Sequence, residues 1–106
     1  MPLESKFLRV EFYDAIFDIP LEIIAINRAK YYVQKDIENG VVKKKDKKQA
    51  IDKEIEYALA NNVECIDWAS NNMDWQDVKP YAKTIYKEKP NYNEQWPNAD
   101  KTIGTE

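Results

Sequence analysis

The sequence predicts an α+β domain, a small antiparallel sheet of two or three strands packed against about three helices. Three observations carry that expectation. Near the N-terminus apolar and polar residues alternate with the period of a half-buried strand, whereas the longer segments that follow repeat apolar residues at helical spacing. Only 2 glycines occur in 106 residues, too few for the many tight turns of a β-sandwich or barrel. Aromatic residues make up 12% of the chain, so rings are expected to supply much of the core volume. A chain of this length has room for one core. Residues 1–87 are expected to form it, with residues 88–106 as a C-terminal tail, partly ordered or flexible.

Leu8, Val10 and Phe12 point one way and Arg9, Glu11 and Tyr13 the other, which defines the first strand. Asp14-Ala15 either turns the chain into a second short strand at Ile16-Phe17 or carries the first strand on through a bulge, and the extended segment ends at Asp18-Ile19-Pro20. Pro20 suits the first position of a helix, where its missing N–H costs nothing, and Asp18 and Glu22 suit the positive end of the helix dipole. The first helix should therefore cover residues 20–36. Leu21, Ala25, Ala29, Tyr32 and Val33 form its main face, and Ile23, Ile24, Ile26 and Tyr31 widen the apolar arc until the helix must pack on more than one side. Asn39-Gly40 stops it, since glycine best tolerates the left-handed conformation at a C-terminal end.

A basic run at residues 43–48 reads as a solvated loop, with Asp46 as N-cap of a second helix over residues 47–61. Ile51, Ile55, Ala58 and Leu59 form the core stripe of that helix, and Tyr57 lies off it. A third helix over residues 64–71 turns Ile66, Ala69 and Met73 inward, and Asp74 should cap one further turn at residues 75–79. After Pro80, residues 81–87 alternate aromatic and β-branched positions and read as a closing strand, with a helix through Pro80 as the competing reading. From residue 88 onward the composition shifts to Pro, Asn, Lys and Glu without periodicity, but Tyr92 and Trp96 are out of place in a disordered segment, so part of it is expected to lie back over the domain or to order on a partner.

Charge and composition exclude several function classes. The net charge is −3, so no overall positive field gathers phosphate backbones and nucleic acid is not an expected partner. No histidine is present, which removes the commonest proton carrier and every Ser-His-Asp or Cys-His arrangement. A single cysteine, Cys65, rules out the usual zinc sites and an internal disulfide, and fits a reducing cytoplasm. Gly40 and Gly104 cannot build a phosphate-binding loop. The start of the chain lacks the basic and apolar regions of a signal peptide, and no apolar stretch is long enough to span a bilayer. Asp67, Asn71, Asp74 and Asp77 fall near helical spacing, but capping and turn formation account for them better than a hard cation does, and no metal or cofactor is expected.

What remains is a non-enzymatic binding protein. Tyr31, Tyr32, Tyr57, Trp68, Trp75, Tyr81, Tyr86, Tyr92 and Trp96 exceed what a small core holds with every polar tip satisfied, and Tyr and Trp are favoured interface anchors. Residues 51–78 also carry Asp52, Glu54, Glu56, Glu64, Asp67, Asp74 and Asp77 against Lys53 alone, an acidic strip of the kind that can imitate nucleic acid. The partner-binding candidates are Tyr31, Tyr57, Asp67, Trp68, Asp74, Trp75 and Asp77. Trp68 is expected at the surface, because on an ideal helix it falls away from the face of Ile66, Ala69 and Met73. A second reading is an oligomer that sequesters a small nucleotide between stacked rings, with Lys or Arg neutralising its phosphates.

The block from Ile66 to Lys79, together with Asn27-Arg28-Ala29-Lys30-Tyr31-Tyr32 and Glu54-Ile55-Glu56-Tyr57-Ala58-Leu59, resembles small acidic proteins encoded by bacteriophages and prophages. Those carry an N-R-A-x-Y-Y helix, an acidic helix and an I-D-W-x-x-N-N-M-x-W-x-D-V-K block. The likeness covers most of residues 20–79 and brings no activity with it. It implies an accessory protein, acting in the host cytoplasm, that binds and inhibits a host defence or replication protein.

Overall fold

The alternation of Leu8, Val10 and Phe12 is answered across the hairpin by Ala15, Phe17 and Ile19, and these six buried side chains form the floor of the core. The computed structural model describes residues 6–87 and 92–105. In it β1 (Lys6–Phe12) and β2 (Ala15–Pro20) pair antiparallel through a turn at Tyr13 and Asp14, with Leu8 opposite Ile19 and Val10 opposite Phe17. Helices cover that face. On the other face the Arg9 guanidinium donates to both carboxylate oxygens of Asp18 at 2.8 and 2.9 Å.

Pro20 ends β2 and occupies the N-cap of α1 (Leu21–Glu38), so the helix begins one residue later than expected. Leu21, Ile24, Ala25, Arg28, Ala29 and Val33 are buried on this helix. Gly40 takes φ 76°, and the N–H groups of Val41 and Val42 return to the carbonyl of Asp36, which closes the helix end as the Asn-Gly signal predicts. A 3-10 turn at Lys44–Asp46 leads into α2 (Lys47–Leu59); Asp46 stands at its N-cap but makes no capping side-chain bond. Then follow α3 (Asn62–Asn72) and the single turn α4 (Trp75–Val78). The expected cap of α4 is present as a reciprocal box, with Asp77 Oδ2 accepting from the Asp74 N–H at 2.8 Å. Pro80 sits in a 3-10 turn, Lys79–Tyr81, and the chain becomes extended as β3 (Lys83–Lys87), which favours the strand reading over the helical one.

Two expectations need correction. The sheet has four antiparallel strands in the order β3-β2-β1-β4, and four α-helices pack on it, rather than two or three strands and about three helices. The additional strand, β4 (Asp100–Thr105), comes from the segment expected to be a tail, and it pairs with β1 along its whole length. Its sequence holds one large apolar residue, Ile103, so local pattern gave no sign of a strand that is specified by pairing with residues about 90 positions away. Tyr92 and Trp96 explain why the segment folds back. Both are fully buried, and the Trp96 indole donates to the carbonyls of Ala69 and Met73 at 2.9 Å, satisfying the C-terminal end of α3. Residues 88–91 and 106 of the expected tail lie outside the described residues.

Below the sheet the core is largely aromatic. Phe12 stacks on Tyr92 at 4.5 Å between ring centroids, Phe17 meets Trp75 at 4.7 Å, and Trp75 meets Trp96 at 6.2 Å. High aromatic content is thus used as volume. Lys101, on the core side of β4, is buried with its ammonium over the Trp96 ring at 4.5 Å, donating to the Trp96 carbonyl at 2.6 Å. Burial lowers its pKa from 10.5 to about 8, with Asp100 opposing the shift. No helix among the described residues is long and apolar enough to cross a membrane.

Candidate functional site

A helix of 18 residues that packs on both the sheet and α2 must present a third side to solvent, and α1 places Arg28, Tyr31 and Tyr32 at that boundary. Arg28 is drawn inward to 7% exposure, whereas Tyr31 and Tyr32 remain 49% and 40% exposed. The off-stripe position of Tyr57 on α2 brings it to the same place at 47% exposure. The guanidinium of Arg28 lies between two rings, 4.7 Å from the centroid of Tyr32 and 5.2 Å from that of Tyr57. Glu54 from α2 and Glu64 from α3 each stand 3.6 Å from it on separate nitrogens. Three helices thus meet at one cation, which contacts the rings of Tyr32 and Tyr57.

Trp68 completes the cluster from beneath, contrary to its expected surface position. It is 7% exposed, its indole donates to Asn27 Oδ1 at 2.8 Å, and its ring contacts Tyr31 and Tyr32 at 5.3 and 5.4 Å. The reason is that α3 packs against α1 as well as against the sheet side of the core. Its buried arc is therefore wider than the stripe of Ile66, Ala69 and Met73 implies. Trp75 is also buried, at 3%, within the Phe12, Phe17, Tyr92 and Trp96 cluster, and its indole N–H has no hydrogen-bond partner among the described residues. Neither tryptophan offers a face to a partner.

Of the seven candidates, then, Tyr57 packs on Arg28, and Tyr31 and Trp68 join the same cluster through Tyr32, Trp68 as support rather than contact. Asp67 is exposed on α3. Asp74 and Asp77 are exposed but spend their carboxylates on capping α4. Asp77 also lines an open groove of about 360 Å³ with Ile23, Ile26, Asn27, Lys30, Met73 and Tyr81. Asn27 belongs to both features, since its other side accepts from Trp68. Sequence reasoning missed Arg28, Glu54 and Glu64 and gave Tyr32 to the core. The spacing of Arg28 and Tyr32, four apart on one helix, was a usable signal of stacking; the carboxylates, from two other helices, left none.

Reactive chemistry is muted here. The Cys65 thiol is fully buried, donates to the Ala58 carbonyl at 3.0 Å, and is pushed by burial up to about 11. Among the described residues no group of three or more His, Cys, Asp or Glu side chains stands close enough to hold a metal ion. The basic run lies on a separate open depression lined by Val41, Val42, Lys43, Lys45, Gln49 and Lys53. Comparison of the chain with protein families, curated proteins and solved structures finds no match.

Proposed function

We propose that the protein acts by binding another protein through the surface of α1, α2 and α3 centred on Arg28, with Tyr31, Tyr32 and Tyr57 as its contact residues. One observation carries the reading: three half-exposed tyrosines form one cluster, Tyr32 and Tyr57 against the buried Arg28 and Tyr31 against Tyr32 and Trp68. Tyrosine contributes large contact area at low entropic cost, and a surface already fixed in its bound form loses less freedom on association. The resemblance of residues 66–79 to phage-encoded proteins makes the partner, in this proposal, a host defence or replication protein that is inhibited by occupancy, in the host cytoplasm and without catalysis. A buried thiol held protonated supports occupancy over chemistry. A nucleotide ligand is the weaker reading, because its phosphates would meet Glu54 and Glu64 beside the guanidinium that should neutralise them.

Capture from bacterial lysate tests this. The full chain should enrich a specific protein, and Tyr31→Ala with Tyr57→Ala should lose it while keeping the native melting transition. Capture that is indifferent to both tyrosines would sink the assignment of the surface; a co-purifying nucleotide in native mass spectrometry, lost in the same variant, would establish the second reading instead.

A further inference from the structure

The loop between α1 and α2 joins an exposed apolar side chain to a dense positive charge. Gly40, at φ 76°, turns the chain, and the N–H groups of Val41 and Val42 both bond the Asp36 carbonyl, at 2.8 and 3.2 Å. Val41 is thereby fixed in place with 73% of its surface exposed. Directly after it Lys43, Lys44, Lys45, Lys47 and Lys48 are all exposed, and among the described residues no ion pair engages them. Val41, Val42 and Ala50 give apolar lining to the open depression of about 550 Å³ that Lys43, Lys45 and Lys53 also line. Asp46 lines it too, and Asp36, Glu38 and Asp52 flank it in sequence, yet between residues 35 and 53 seven lysines outnumber four acidic residues on a chain of net charge −3. The acidic stretch that continues from Glu54 and Glu56 starts about 10 to 13 Å along α2 from Lys47, beyond the Debye length of roughly 8 Å at physiological salt. The loop therefore presents a local positive field.

We propose that this loop is a contact for an anionic phospholipid surface, with Val41 entering the headgroup layer and the lysines around it neutralising lipid phosphates. Charge decides the sign of the partner, since each lysine near an anionic bilayer is worth about fivefold in partition, or ~1 kcal/mol. The exposed valine decides its kind. A nucleic-acid backbone offers no apolar surface to Val41, Val42 and Ala50, and no aromatic or arginine side chain lines the depression to stack on bases. Carboxylates of a protein favour the forked geometry of arginine, whereas point charges on flexible stems suit headgroups that rearrange in the plane. Neither one apolar side chain nor a short basic run anchors a protein alone, so the contact needs both and is reversible. It requires no spanning helix, and it uses residues outside the Arg28 cluster, so it stands or falls independently of the docking surface there.

The test is co-sedimentation of the full chain with vesicles of phosphatidylcholine alone and of phosphatidylcholine mixed with phosphatidylglycerol. The protein should pellet with the mixed vesicles only, and less of it as salt is raised. Lys43→Gln and Lys45→Gln should each lower the partition coefficient about fivefold. Val41→Ser, which changes no charge, should lower it about threefold and leave the salt dependence as it was. Lys83→Gln, at an exposed position of β3, should leave it unchanged. All four positions are exposed, so each variant should keep the native melting transition. Equal recovery with both vesicle types, no recovery with the mixed ones, or indifference to the two loop lysines would overturn the proposal. Displacement by inorganic phosphate beyond that caused by chloride at the same ionic strength would assign the depression to the free anion instead. Retention on a DNA duplex through the same lysines, with Val41→Ser without effect on vesicles, would make the loop a general polyanion contact and overturn the lipid assignment.

Discussion

At the scale of single residues, the tryptophan that a helical wheel sends to the surface is a structural one. Trp68 fills the space between α1 and α3 and has its N–H satisfied by Asn27. Trp68→Ala should therefore cost about 3–5 kcal/mol in denaturant unfolding, a large share of the stability of a domain this small. An exposed tryptophan would have cost almost nothing, so the measurement separates the two placements. Lys101 and Cys65 make opposite marks on the pH profile. The pKa of Lys101 falls from 10.5 unfolded to about 8 folded. Between those values the unfolded chain binds the extra proton, so stability from this group rises as pH goes from 8 to 10.5. Cys65 goes from 9.0 unfolded to about 11 folded, so the folded chain holds the proton longer and stability falls as pH rises from 9 to 11. Urea midpoints across this range should show the rise abolished in Lys101→Met and the fall abolished in Cys65→Ser.

At the scale of elements, the helices and the first hairpin were readable because their information is local. Periodicity gave the apolar faces of α1 and α2, Asn-Gly gave the end of α1, and the Asp74 cap gave the start of α4. The exposure of Tyr31 and Tyr57 was legible because each lies off the main stripe of its helix. What the sequence withheld depends on two elements at once: the burial of Trp68, the convergence of Glu54 and Glu64 on Arg28, and the fourth strand. The sheet edges also acquire meaning only in three dimensions. Tyr86 and Thr84 pair with consecutive residues of β2, which makes Ile85 the extra residue of a bulge on one edge. On the other edge Lys101 points a charge inward. Both are devices that discourage strand addition.

For the whole molecule, the region after residue 91 is a wall of the core rather than an appendage. Tyr92 and Trp96 close the aromatic cluster around Phe12, Phe17 and Trp75, and β4 covers what would otherwise be the free edge of β1. A chain ended at residue 91 should lose its cooperative thermal transition and bind a hydrophobic dye, whereas removal of a true tail would leave the melting curve unchanged.

The pairing of β1 with β4 has a further consequence in time. Lys6–Phe12 is made about 90 residues ahead of its partner Asp100–Thr105, roughly 5–20 s at ordinary elongation rates. During that interval Leu8, Val10 and Phe12 have only the β2 hairpin and whatever helices have already emerged to shield them. The nascent chain must therefore wait, half sheltered, for a strand whose own sequence scarcely announces it.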